Sequence, residues 1–197
     1  MALWRGQPPL IMFESQLEKR GWRWPISALV TLVCLGILGP IVIDLEQGLP
    51  LSLQSLLVCW LPLMLGWRAG VSGVLAYVAL GVAGVPIFAG YNGGPDILSG
   101  PTGGYLMGMP VAALVLGAMA EALPENASDR ERYLRIGAGM ILGHIVILVM
   151  GIPWQMKFAP DLDVQALLER LARPALLKCA LGLLLSVLAM RASGSRA

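Results

Sequence analysis

Six apolar runs, most of them near the length that crosses a bilayer, leave this chain few ways to fold. They extend from about Pro25 to Ile43, Leu53 to Trp67, Ala69 to Val85, Gly104 to Leu123, Ile136 to Trp154 and Pro174 to Met190. About 20 apolar residues in a helix span the hydrocarbon core. The second run is short and contains Pro62. Such interruptions are tolerated where neighbouring helices re-satisfy the freed backbone groups. Only 13% of the residues are charged and 57% are apolar, against about 25% charged in an average soluble domain. The expectation is an all-α integral membrane protein, a compact bundle of six transmembrane helices. It forms one domain over residues 25–190, with tails over 1–24 and 191–197.

The net charge of +2 gives no reason to expect nucleic acid as a partner. His144 is the single histidine, and Cys34, Cys59 and Cys179 lie scattered in apolar runs. That spacing suits no metal, so the cysteines read as small packing residues without a disulfide. The first 24 residues mix Arg5, Glu14, Glu18, Lys19, Arg20 and Arg23 and show no signal-peptide pattern. They read as a cytoplasmic tail, either loose or forming an interfacial helix with Trp22 and Trp24 at headgroup level. Loop charges set the orientation, because cytoplasmic loops collect Lys and Arg. With the N-terminus inside, inner segments hold ten of these residues and outer segments three: Lys157, Arg170 and Arg173. Both termini are then cytoplasmic. Residues 44–52, 86–103 and 153–173 face outward.

The stretch GVPIFAGYNGGPDILSGPTGGYLMG (84–108) packs eight glycines and three prolines between two apolar runs. A plain turn needs only a few such residues. Irregular backbone at membrane depth survives where it is buried or lines a cavity. The stretch also carries Val85, Ile87, Phe88, Ile97 and Leu98, which a free loop does not need. It therefore reads as the roof of a ligand pocket.

Lys178 lies inside the last apolar run. A lysine there faces a cavity or a partner, or it snorkels to the outer headgroups. As a functional residue it would pair with a carboxylate. Asn92, with Gly93 and Gly94, is either a turn or a donor–acceptor group for a planar amide or urea. GPTGGY (100–105) lacks the GK[ST] ending of a phosphate loop. Gly100, Gly104 and Gly108, and also Gly139 and Gly143, fall at the four-residue spacing of close helix contacts. His144 is a core histidine or, in an enzyme reading, a base. No deep carboxylate or nucleophile accompanies it in the sequence, so catalysis has little support. Trp60, Trp67 and Trp154 fit interface anchors, and Trp154 is also placed to wall a pocket.

GVPIFAG (84–90), followed by GPTGGYLMG (100–108), resembles the G-x-P-x-F-x-G and G-P-T-G-G-Y signatures of the BioY family. That family comprises the biotin-specific substrate-binding (S) components of energy-coupling-factor (ECF) transporters. GLPLSLQSLLV (48–58) is similar to its outer loop ending in P-x-[TS]-L-Q, and ARPALLK (172–178) resembles in part its P-F-x-x-G-D-x-x-K segment. The likeness covers roughly residues 25–190. It implies a six-helix, multi-pass capture subunit of a bacterial cell membrane, with a pocket near the outer face. Biotin would be the transported ligand, with no cofactor. The implied partners are a transmembrane coupling subunit, ATPase subunits and the lipid bilayer. The implied ligand-binding set is Lys178, Asn92, Gly93, Gly94, Phe88, Gly100, Pro101, Thr102, Gly103, Gly104, Tyr105, Gln54 and Trp154. The family's acid three positions before the lysine is replaced by Ala175. Either Asp161 or Asp163 of the same outer segment supplies that acceptor, or binding is altered. A subunit of the same fold for another small carboxylated compound is the alternative reading.

Overall fold

A computed structural model describes residues 23–45, 49–124 and 126–194. Helix α1 (Arg23–Leu38) stops where Gly39 and Pro40 follow: the Gly39 N–H closes the last turn on Leu35 O at 2.8 Å, and proline cannot continue it. Strands β1 (Val42–Leu45) and β2 (Leu49–Ser52) then form an antiparallel hairpin, with Val42 opposite Ser52. Ser52 ends the hairpin and caps α2 (Leu53–Leu65), its hydroxyl accepting from Gln54 N. Gly66, at φ +83°, turns the chain straight into α3 (Trp67–Val82). A long loop carries the four-residue helix α4 (Asp96–Ser99) and leads to α5 (Gly103–Glu121). Ser128 and Glu131 cap α6 (Asp129–Gln155) reciprocally. Asp163 Oδ1 accepts from Ala166 N at the start of α7 (Val164–Gly194).

α5, α6 and α7 are long and apolar enough to cross a membrane, whereas α1, α2 and α3 are shorter apolar helices. Helices α5 and α6 form the closest pair. Glycines make this possible: a Cβ on Gly104 would strike Trp154 and the Met150 carbonyl, and one on Gly151 would strike the Tyr105 ring. Gly108 lies against Ile147 in the same seam. Gly139 and Gly143 meet Leu63 and Cys59 of α2. Leu35, Val58, Met64, Tyr77, Leu116 and Met140 fill the centre. The outside is apolar too: Ile37, Val149 and Leu176 are each about two-thirds exposed. Such a surface suits lipid, where packing rather than burial from water joins helices.

The expected boundaries need correction in several places. The first run does not stay helical to Ile43, because Gly39-Pro40 breaks it and Val42–Leu45 pairs as a strand. Trp67 opens α3 instead of ending α2, since the positive φ of Gly66 breaks the helix. Residues 164–173, expected as part of an outer loop, are the first turns of α7, and Pro174 sits inside that helix. The tail expected over 1–24 lies outside the described residues up to 22, and Trp24 belongs to α1.

Hydrogen bonds assign the connections to two ends of the bundle. Gly90 N donates to Pro40 O, Ala89 N to Gln54 Oε1, and Trp154 Nε1 to Gly100 O. These join the hairpin end of α1–α2, the long loop and the end of α6. At the opposite end Trp67 N donates to Glu121 Oε1, and Arg135 Nη1 to Met119 O.

Candidate functional site

The glycine-rich loop is pinned along its length. Gly84 takes φ +106° to leave α3, and Gly94, at φ +111°, returns its N–H to Gly81 O at 2.7 Å. Phe88 and Asn92 exchange backbone hydrogen bonds in a tight hairpin, with Gly90 and Tyr91 at positive φ between them. The Phe88 ring is buried edge-on against Tyr77, centroids 5.4 Å apart. Gly81 leaves room for that ring. Tyr77 Oη donates to Ile87 O, tying the same turn to α3.

Beneath this loop lies a cavity of about 520 Å³, within the usual range of about 300–1,000 Å³ for small-molecule sites. Gln54 of α2, Phe88, Asn92 and Asp96 of the loop and α4, Gly100 to Thr102, and Tyr105, Leu106 and Met109 of α5 line it, with Ala89 and Ile97. Seven of the expected ligand-binding residues are thereby brought together: Gln54, Phe88, Asn92, Gly100, Pro101, Thr102 and Tyr105. Gln54 spans two roles, since its Oε1 holds Ala89 N at 2.8 Å while its Nε2 meets only the Met109 thioether, a weak acceptor. Asn92 Nδ2 donates to Ala89 O, so its own turn uses part of its amide. Tyr105 Oη donates to Gln155 Oε1 at 2.7 Å.

The other expected residues do not line the cavity. Gly93 and Gly94 shape the loop, Gly93 lying against the Val85 carbonyl. Gly103 and Gly104 pack α5 on the Leu98 carbonyl and on Trp154. Trp154 stands behind the wall, its indole N–H holding Gly100 O at 2.9 Å. Lys178 is buried on α7 and donates to Ser55 Oγ at 2.8 Å. That serine follows Gln54 in α2 and does not itself line the cavity. Among the described residues no carboxylate pairs with Lys178. Asp163 is occupied at the start of α7, and neither it nor Asp161 lines the cavity.

Ala89, Asp96, Ile97, Leu106 and Met109 are lining residues that sequence reasoning missed. Asp96, the one charge in the glycine-rich stretch, was the available signal. Leu106 and Met109 were legible only as helix interior, because their direction depends on how α5 is rotated. His144 is buried in α6 with Nδ1 2.7 Å from Met140 O, while Nε2 has no hydrogen-bond partner among the described residues. The Cys179 sulfur lies 3.9 Å from the same Nδ1. Among the described residues no group of three or more His, Cys, Asp or Glu could hold a metal ion.

Comparison with known proteins places these features in context. The model of the BioY family matches residues 17–196. A relative from Pyrococcus horikoshii named "Probable biotin transporter BioY" is 32% identical over 68% of this chain and 75% of its own length. "Biotin transporter BioY2" from Lactococcus lactis subsp. cremoris is 33% identical over 68% of this chain and 72% of its own. A solved structure, the "S-component for biotin from an ECF-type ABC transporter", overlays with a TM-score of 0.59 at 22% identity. It covers 88% of this chain and 92% of that one. At that identity the overlay speaks for the fold.

Proposed function

Because this chain belongs to the BioY family, we propose that it captures biotin at the outer face of a bacterial cell membrane as the S component of an ECF-type transporter. One observation carries the reading beyond family membership. A cavity of ligand size is roofed by the pinned glycine-rich loop, and a buried lysine with no acid among its described partners is bonded to Ser55, the residue that follows the lining residue Gln54 in α2. Biotin presents a carboxylate at one end and a ureido ring at the other. Its carboxylate would supply the anion that Lys178 lacks, displacing Ser55 or sharing the ammonium with it. The Asn92 amide and the loop backbone suit the ring.

In this reading six helices span the membrane, both termini are cytoplasmic, and the cavity end faces outward. The chain's partners in this reading are a transmembrane coupling subunit and ATPase subunits; the sequence carries no GK[ST] nucleotide loop, so any ATP would be hydrolysed by those partners. The protein binds and releases its ligand without chemistry. The reading is tested by mass spectrometry of the small molecule released from protein purified without added vitamin, together with titration of the emptied protein with biotin. Biotin in the released fraction and saturable one-to-one binding are expected. Release of a different carboxylated compound would keep the capture role and overturn the ligand. Turnover of the added compound would favour an enzyme.

A further inference from the structure

Asp96 is the one charged side chain among the residues lining the cavity. It stands in the first turn of α4, yet it caps nothing: Pro95 holds the cap position and no side-chain bond closes that end. Its backbone carbonyl accepts from Ser99 Oγ, while among the described residues its carboxylate makes no hydrogen bond or ion pair. Asp96 is solvent-exposed, and no local bond fixes its carboxylate. Of the other polar lining side chains, three are partly engaged, Gln54 Oε1 with Ala89 N, Asn92 Nδ2 with Ala89 O and Tyr105 Oη with Gln155, and Thr102 adds a hydroxyl that caps nothing. Asp96 is the strongest acceptor left facing the space.

Its sign also matters. A carboxylate on the α4 side of the cavity disfavours an anionic group placed there, whereas the Lys178 ammonium, outside the lining and bonded to Ser55, would attract one. Specificity uses repulsion as well as attraction. We propose that Asp96 is a specificity-determining residue that accepts a ureido N–H of the ligand. The ring then lies toward α4 and the acid tail toward α7. This rests on the biotin-capture reading and adds to it a polarity for the bound molecule. Asp161 and Asp163, the acids considered from sequence, stay outside the cavity.

The test is calorimetric titration of the full chain in detergent with three probes: biotin, biotin methylated on its ureido nitrogens, and biotin amide. Asp96→Ala should lower biotin affinity by about tenfold or more, and the isosteric Asp96→Asn by about threefold or more, since charge-assisted bonds exceed neutral ones. Methylated biotin should bind wild type poorly and lose nothing further in Asp96→Ala, while biotin amide should lose by the same factor as biotin. Biotin affinities within about twofold of wild type in Asp96→Asn overturn the assignment even if Asp96→Ala fails to fold. Equal losses for biotin and methylated biotin in Asp96→Ala also overturn it. A wild-type protein that binds no biotin overturns the capture reading itself, and this inference with it, a result distinct from wild type that binds and variants that do not differ.

Discussion

Around Lys178 on α7 stand Arg173, Pro174, Ala175, Leu176, Leu177, Cys179 and Ala180, none of them acidic. A buried ammonium satisfied by one serine hydroxyl at 2.8 Å has three donors and keeps its net charge uncompensated. An anionic ligand relieves this. Truncating one partner of such a pair typically costs about 2–5 kcal/mol, so Lys178→Ala should weaken biotin binding by well over about tenfold. Biotin amide should bind wild type poorly and change little in the variant; equal losses for acid and amide would mean that the lysine never meets the carboxylate. Asn92 has a smaller expected effect, because its Nδ2 already serves Ala89 O. Asn92→Ala should weaken biotin by about 1–2 kcal/mol, and affinity unchanged by titration would reduce it to a turn residue. Residue type made Lys178 and Asn92 visible in the sequence. That Lys178 bonds Ser55 instead of lining the cavity was not visible, since it depends on which face α7 turns to α2.

The α5–α6 seam rests on absent side chains. Gly104→Leu or Gly151→Leu would push into Trp154 or the Tyr105 ring, and the backbones cannot part without losing the contacts that hold helices together in lipid. Overpacking costs about 1–3 kcal/mol or more, so either variant should melt markedly earlier in detergent. Gly137 has no neighbouring atom within 4 Å of an added Cβ, and Gly137→Ala should match or slightly exceed wild-type stability, by up to about 1 kcal/mol. If all three behaved alike, the seam would not be the cause. The small-residue spacing was legible for Gly104 and Gly108, but Gly100 shares the spacing and lies in the loop before α5. The middles of the three long and three shorter apolar helices among the described residues were legible, because apolar runs mark them. Their ends were not. Val42 and Ile43 continue an apolar run, and only Gly39-Pro40 separates a helix from a strand there. Residues 164–173 carry Glu169, Arg170 and Arg173, so hydropathy hid the first turns of α7, which project beyond the apolar stretch.

Which end of the bundle faces outward follows from charge, and the two ends are well separated by their hydrogen bonds. One end gathers the hairpin, the glycine-rich loop, the cavity and the close of α6. The other gathers Arg68, Arg130, Arg132 and Arg135 near the starts of α3 and α6. Cytoplasmic segments collect Lys and Arg, so the cavity end should face outward. Arg135 has a second use, its guanidinium satisfying Met119 O in the last turn of α5. A labelling experiment therefore decides better than the count. The background should first lose Cys34, Cys59 and Cys179, replaced by alanine. Cys59 is fully buried, while the other two are half-buried and could react. Single cysteines then go to two exposed positions, Tyr91 in the loop and Asp129 at the start of α6. In intact cells an impermeant maleimide should modify the cysteine replacing Tyr91 and spare the one replacing Asp129, which should react only once the membrane is opened. The opposite pattern would turn the molecule over, put the cavity on the cytoplasmic side, and remove capture from outside as its task.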